Sequence, residues 1–130
     1  MIVTDASVVV EVLLRTSEAA QIERRLFASS ELLAAPALLD VEVAQVLRRY
    51  VMRGEISEDH GRLALGLFER FPIRRLQHGT LLARIWKLRD NLTAYDAAYV
   101  ALAEALGATL LTRDRALAGA SGHSAVIEVI

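Results

Sequence analysis

The sequence has no cysteine, few aromatic residues and no long apolar run, and each absence removes a class of protein. Without cysteine in its 130 residues, the chain can form neither a disulfide framework nor a thiolate metal site, which excludes zinc fingers and redox proteins. Charged residues interrupt every apolar run well before a membrane-spanning length, and the amino terminus lacks a basic leader, so we expect a cytoplasmic protein. The aromatic share of only 5 % favours a core of Ala, Leu and Val.

The charge balance gives no overall attraction to nucleic acid, because the formal net charge is -1. The cations are nevertheless almost all arginine, and Lys87 is the only lysine. Arginine is the better bidentate ligand of phosphate, and several arginines are adjacent, as in Arg24-Arg25 and Arg48-Arg49. Solvated helix faces are the simpler explanation of any single pair, so the arginines alone assign no function.

Strand-like and helix-like segments alternate along the whole chain, and no linker or repeat divides it. The sequence predicts strands at 2–5, 32–35, 73–76, 109–112 and 126–130, and helices at 17–28, 37–52, 57–71, 81–88 and 93–107, with a short helix before the last strand. This alternation predicts a single α/β domain over residues 1–130, with a parallel sheet covered by helices on both faces.

The segment 8–14 is locally ambiguous. Its three consecutive valines favour a strand, whereas Ser7 is a good residue to cap a helix. Local propensity favours the helix only weakly.

Four carboxylates lie where a purely structural role is hard to defend. Asp5 and Asp114 end strands, Asp96 opens a helix, and Glu42 borders the apolar stripe of the longest helix. Each has a simpler explanation: Asp5 and Asp114 as turn or cap residues, Asp96 as part of a capping box with Thr93, and Glu42 as the partner of Arg48 or Arg49. The carboxyl ends of parallel strands share one edge of a sheet, however, and we expect the four acids to converge there.

Converging carboxylates without thiols or a suitably spaced histidine make an all-oxygen site. Such a site suits Mg²⁺ or Mn²⁺, ions that can activate water for displacement at phosphorus. No glycine-rich phosphate loop or serine-nucleophile motif offers another chemistry. The crowded carboxylates predict raised pKa values in the metal-free protein.

The same residues resemble a known family, the PIN-domain ribonucleases, and within it the VapC-type toxins of toxin–antitoxin pairs. The segment Ile2–Ser7 resembles the family's opening strand and first acid, and Glu42 in the segment 38–43 resembles the glutamate of the long helix. The segment Thr93–Tyr99 resembles the most specific stretch, which carries the third acid, and Leu110–Asp114 is similar to the last strand with its hydroxyl and acid.

This resemblance implies a three-layer PIN-like fold with a five-stranded parallel sheet, in which the segment 8–14 is helical. It implies a Mg²⁺- or Mn²⁺-dependent endoribonuclease in which Asp5, Glu42, Asp96 and Asp114 hold the metal, with Ser7 and Thr112 as auxiliary ligands. It also implies a homodimer and a cognate VapB-type antitoxin. The RNA-binding residues and the RNA substrate stay open.

Three alternatives compete with this interpretation. The acidic groove could be a docking surface for a cationic partner, with little or no nuclease activity. A phospho-acceptor receiver domain also gathers acids around Mg²⁺, but it needs an acidic pair near the first strand and a nearby lysine. A dehalogenase-like phosphatase needs a second Asp where Ser7 stands, and it is the weakest of the three.

Overall fold

The computed structural model describes all 130 residues and contains five strands and seven α-helices. The strands are β1 (Ile2–Thr4), β2 (Leu33–Pro36), β3 (Ile73–Leu76), β4 (Thr109–Thr112) and β5 (Val126–Val129). The helices are α1 (Ala6–Leu13), α2 (Ala19–Phe27), α3 (Leu39–Met52), α4 (Glu58–Glu69), α5 (Leu82–Lys87), α6 (Ala94–Leu106) and α7 (Arg115–Ala118). Every predicted element is present, and the ambiguous segment 8–14 is largely the helix α1. None of the helices combines the length and apolar content needed to span a bilayer.

All five strands form one parallel sheet in the order β3-β2-β1-β4-β5. From β1 the chain moves outward through β2 to β3, and it then returns to the other side of β1 to add β4 and β5. Because crossovers between parallel strands are right-handed, the two directions place α1 to α4 on one face and α5 to α7 on the other. The predicted three-layer α/β fold is confirmed, and its strand order reverses between β1 and β4.

The core is aliphatic, as the composition predicts. One cluster of 30 buried hydrophobic residues fills the space between sheet and helices, with Phe68 and Tyr99 as its only aromatic members. The run Val8–Val10 is buried within α1, which explains why these β-branched residues are helical: their packing outweighs a weak local preference for strand. In α6, seven consecutive residues from Ala97 to Ala103 are buried, four of them alanine, so this helix is enclosed by the sheet and its neighbours.

The carboxyl edge of the sheet collects the four acids for simple topological reasons. Asp5 directly follows β1, and Asp114 lies two residues after β4. Helix α3 starts soon after β2, so Glu42 in its first turn lies near that edge. Helix α6 leads back to the beginning of β4, so its amino terminus, with Asp96, must also lie at the carboxyl edge. In open α/β sheets, ligands bind at this edge where the strand order reverses.

Candidate active site

Asp5 is the most firmly held of the acids. It is 8 % exposed and caps α1, with its Oδ1 accepting the backbone N–H groups of Ser7 at 3.0 Å and Val8 at 3.3 Å. The expectation that Ser7 caps this helix is therefore wrong, since Asp5 is the cap and Ser7 lies in the first turn. The Ser7 hydroxyl donates to Oδ1 at 2.5 Å, and the Thr112 hydroxyl donates to Oδ2 at 2.5 Å. Both oxygens of this buried carboxylate are thus satisfied.

The two hydroxyls that bind Asp5 are themselves fixed by the turn between β4 and α7. The Ser7 Oγ accepts the backbone N–H of Arg113 at 3.0 Å, and the Thr112 Oγ1 accepts the N–H of Asp114 at 3.0 Å. Because each hydroxyl oxygen accepts an N–H from the turn, each hydroxyl proton points toward Asp5. Both side chains position that carboxylate, and their role as auxiliary metal ligands stays a prediction.

Glu42 is held by a tyrosine from the opposite layer. The Tyr99 hydroxyl, on α6, donates to Glu42 Oε2 at 2.7 Å, and the tyrosine is only 2 % exposed. Neither Arg48 nor Arg49 forms an ion pair with Glu42, so the simpler structural explanation of this residue is not realised. The other carboxylate oxygen, Oε1, accepts no hydrogen bond and is available to a ligand.

Asp96 lies half-buried in the first turn of α6. Thr93 caps this helix, and its Oγ1 accepts the backbone N–H of Asp96 at 3.2 Å. The reciprocal bond of a capping box, from the Thr93 N–H to the Asp96 carboxylate, is absent, so only half of that interpretation is right. The cap leaves the carboxylate free to face the other acids.

Asp114 is exposed and caps α7, with Oδ1 accepting the N–H groups of Ala116 at 2.8 Å and Leu117 at 3.4 Å. The structural and the functional interpretations of Asp5 and Asp114 are therefore compatible. Capping uses one oxygen of Asp114 and leaves its Oδ2 without a hydrogen bond.

All four acids take part in electrostatic coupling, as crowding at one edge requires. Burial raises the pKa of Glu42, and the charges of Asp5 and Asp96 raise it further, against the lowering effect of the Tyr99 hydrogen bond. Burial also raises the pKa of Asp96, with Asp114 as the second cause. The predicted direction agrees with these shifts, but the largest cause is loss of water rather than repulsion.

Burial is also the largest influence on the pKa of Asp5, and hydrogen bonds oppose it. Burial raises its pKa, and the hydrogen bonds from Ser7, Thr112 and Val8 lower it without cancelling the effect of burial. The hydroxyls are therefore what allows a carboxylate in this position to ionise.

The acidic side chains do not form a preorganised metal-binding site. No group of three or more His, Asp or Glu side chains is placed to hold a metal ion as the side chains stand. What fits a divalent cation is the donor chemistry. Every donor is a carboxylate oxygen, and some of these oxygens have no hydrogen-bond partner. Burial raises the pKa values of Asp5, Glu42 and Asp96, and neighbouring acids raise those of Glu42 and Asp96 further.

Sequence reasoning missed two residues that hold the site in place. Tyr99 lies within the Thr93–Tyr99 segment, but its contact with Glu42 spans 57 residues of sequence. His78 accepts the Leu38 backbone N–H with its Nε2 at 3.0 Å, across 40 residues. Leu38 begins α3 and has no capping side chain of its own, so His78 fixes the start of the helix that carries Glu42.

Comparison with known proteins identifies the family of the chain. The PIN domain family matches residues 2–122. The chain is 43 % identical to Ribonuclease VapC12 of Mycobacterium tuberculosis over 130 residues, covering 100 % of this chain and 99 % of the relative. It is also 43 % identical to Ribonuclease VapC1 of that organism over 129 residues, covering 98 % and 96 %.

A solved structure supports the fold. VapBC2 from Rickettsia felis, crystallised with a DNA fragment from its promoter, superimposes with a TM-score of 0.73 at 14 % identity, covering 99 % of this chain and 98 % of that one. The chain therefore belongs to the PIN-domain family and, within it, to the VapC ribonucleases.

Proposed function

We propose that residues 1–130 form one PIN domain that works as an endoribonuclease, the toxin of a VapBC-type toxin–antitoxin pair in the cytoplasm. The observation that carries this proposal is the group of four acids at the edge where the strand order reverses, three of them with raised pKa values. Identity of 43 % to a VapC ribonuclease over the whole chain supports the same reaction.

The proposed cofactor is Mg²⁺ or Mn²⁺, held by Asp5, Glu42, Asp96 and Asp114. These hard ions prefer the oxygen ligands that the four carboxylates offer. When bound, such an ion supplies Lewis-acid activation of water and charge neutralisation at the phosphodiester.

The protein's own contribution is to hold charge in place where water is partly excluded. Ser7 and Thr112 keep the Asp5 carboxylate in one orientation, and Tyr99 occupies Glu42 Oε2 while Oε1 accepts no hydrogen bond. Asp96 and Asp114 lie nearer to solvent, where they can orient an attacking water. Fixed dipoles and charges of this kind need little reorganisation during the reaction.

The decisive test compares Asp5→Asn and Asp96→Asn with wild-type protein freed of any partner. RNA cleavage in Mn²⁺ and calorimetric Mn²⁺ binding should both be largely lost while both variants stay folded. Asparagine caps helices as well as aspartate does, but Asp5→Asn removes the acceptor of the Thr112 hydroxyl, so this variant should melt at a somewhat lower temperature than Asp96→Asn. Undiminished cleavage by either variant would remove these residues from the proposed site.

A matched control is Asp59→Asn, which changes an acid on α4 whose side chain is 80 % exposed. It should leave cleavage and Mn²⁺ binding unchanged. If wild-type protein itself shows no EDTA-sensitive cleavage of RNA, the acidic groove is better explained as a docking surface for a cationic partner.

The proposed partners are a VapB-type antitoxin and a second copy of the chain. The Rickettsia neighbour was solved as VapBC2, which supports the first, and the family resemblance supports the second. Exposed apolar side chains such as Leu63, at 66 %, and Trp86, at 68 %, offer surface for such contacts. Light scattering of the purified chain, alone and with the product of an adjacent antitoxin gene, tests both assemblies.

A further inference from the structure

A cleft runs along α3 directly beside the acidic site. Its volume is about 380 Å³, and its lining combines three apolar side chains with a carboxylate, an amide and a guanidinium: Ala6, Val41, Glu42, Gln45, Val46 and Arg49. Glu42 belongs to both the cleft and the acidic site, and Ala6 is the neighbour of Asp5. The cleft is therefore a continuation of the site.

The helical spacing sets the order of the side chains along this cleft. Val41, Gln45 and Arg49 follow one another at intervals of four residues, so they form one row on the surface of α3. Arg49 lies seven residues after Glu42, which corresponds to about 10 Å along a helix axis. The cleft thus begins at Val41 and the Glu42 carboxylate, continues past the Gln45 amide and Val46, and ends at the Arg49 guanidinium.

Arg49 is one of the nine arginines, out of 14, that form no ion pair. Arg75, Arg84 and Arg113 all form ion pairs with carboxylates, whereas Arg49 is exposed and forms none. Its neighbour Arg48 is also exposed and unpaired, but it lines a different cleft, between α3 and α4. The two adjacent arginines therefore serve as a test residue and its control.

The apolar part of the cleft is open to solvent. Val41 is 74 % exposed although it lies next to Glu42. A single exposed valine means little by itself. Beside an amide and a guanidinium without an ion pair, next to the acidic site, it adds apolar surface against which a nucleobase can pack.

We propose that this cleft binds the nucleotide next to the scissile phosphate of single-stranded RNA. The base lies on Val41 and Val46, the Gln45 amide hydrogen-bonds its edge, and Arg49 binds the following phosphate. This subsite rests on the proposed ribonuclease function and names the residues that select the cleaved sequence.

General features of RNA recognition favour a nucleotide over a peptide in this position. Single-stranded RNA is read by apolar or stacking contacts with the base together with hydrogen bonds to its edges, while arginines hold the phosphates. A cation at the acids and the guanidinium of Arg49 would hold two successive phosphates, with the base between them.

The first experiment tests base selection. Wild-type protein and the variant Gln45→Leu are incubated with Mn²⁺ and a pool of oligoribonucleotides that carries eight random positions, and the cleaved ends are sequenced. Gln45→Leu should reduce the preference at one position beside the cut by about tenfold, because an amide reads a base edge through paired hydrogen bonds. The control Gln21→Leu, on the exposed surface of α2, should keep the wild-type profile.

The second experiment tests the phosphate contact without turnover. Fluorescence anisotropy measures how metal-free Asp5→Asn protein binds a labelled oligoribonucleotide of the pool at several salt concentrations. Adding Arg49→Gln should reduce the slope of log affinity against log salt by about 0.7, the value for one phosphate contact of a single strand. Adding Arg48→Gln should leave the slope unchanged.

The outcomes separate the subsite from the function on which it rests. If wild-type protein does not cleave the pool, the ribonuclease proposal and the subsite fall together. If wild-type protein cleaves but Gln45→Leu keeps its profile and Arg49→Gln keeps its salt slope, only the subsite is wrong. If these two variants leave RNA cleavage unchanged and instead weaken inhibition by an antitoxin peptide, the cleft is a peptide site and the proposal is overturned.

Discussion

The substitution Thr112→Val removes one buried hydroxyl and keeps the shape of the side chain. Thr112 has no exposed surface, and its hydroxyl joins the Asp5 carboxylate to the Asp114 backbone N–H. Valine fits a strand end as well as threonine does. Any loss of stability must therefore come from the two hydrogen bonds, which makes the substitution a clean probe of how Asp5 is held.

The magnitude follows from what the valine leaves behind. A hydrogen bond to a charged group contributes about 1.5–3 kcal/mol, and a stranded buried N–H costs about 1 kcal/mol or more, so we expect a loss of about 2–4 kcal/mol at neutral pH. Small domains are typically stable by about 5–15 kcal/mol, so the variant should still fold. The control Thr112→Ser keeps the hydroxyl and should lose only about 1 kcal/mol for the missing methyl.

Urea unfolding of the metal-free protein measures the difference. With a slope of about 2 kcal/mol per molar urea, the midpoint of Thr112→Val should fall by about 1–2 M. The Thr112 bond lowers the pKa of Asp5, so the deficit should be largest at neutral pH and should shrink as Asp5 becomes protonated. Equal midpoints for the valine and serine variants, or a deficit that does not depend on pH, would refute the proposed role of the hydroxyl.

Three further outcomes are expected. Tyr99→Phe should slow RNA cleavage roughly tenfold, since it removes a hydrogen bond of about 1.5 kcal/mol to Glu42. Because that bond lowers the Glu42 pKa, the acid limb of the pH–rate profile should also move to higher pH. An acid limb at the wild-type pH would contradict this role of Tyr99. His78→Leu removes a helix cap and should lower the stability measured in thermal melts by about 1 kcal/mol. His78→Gln can still accept the Leu38 N–H and should keep most of that stability. Equal melting temperatures of the two variants would exclude the capping role. In metal-free protein the raised carboxylate pKa values mean that the folded state binds more protons than the unfolded state, so stability should increase as pH falls from those raised values toward about 4. Added Mn²⁺ should stabilise the protein most near neutrality. A melting temperature that Mn²⁺ does not change at that pH would contradict a clustered site.

The course of the backbone could be predicted from sequence because its signals are local. Pro36 closes β2, Gly107 ends α6 in the left-handed conformation, and the spacing of apolar residues distinguishes helices from strands. The convergence of the acids also followed from local facts, because parallel strands must share an edge. Topology alone places Asp5 and Asp114 at this edge, because each follows the end of a strand.

The contacts that hold the site could not be predicted in the same way. The bond from Tyr99 to Glu42 and the bond from Leu38 to His78 join segments 57 and 40 residues apart, and no spacing rule connects them. The helix cap shows the same limit at short range. Ser7 and Asp5 are both good capping residues, and only the position where β1 ends decides between them.

The site combines two opposing influences on the same negative charge. Burial disfavours ionisation of Asp5, Glu42 and Asp96. The hydroxyls of Ser7 and Thr112 favour ionisation of Asp5, and the hydroxyl of Tyr99 favours ionisation of Glu42. Neutral donors can stabilise a carboxylate but cannot cancel its charge, and an arginine in their place would both cancel it and occupy the position of a cation. Hydroxyls therefore keep the acids oriented and negatively charged while leaving the attraction for a divalent ion undiminished. Each arginine that pairs with an acid in this structure does so with a carboxylate other than these four, as Arg113 does with Glu11 next to the site.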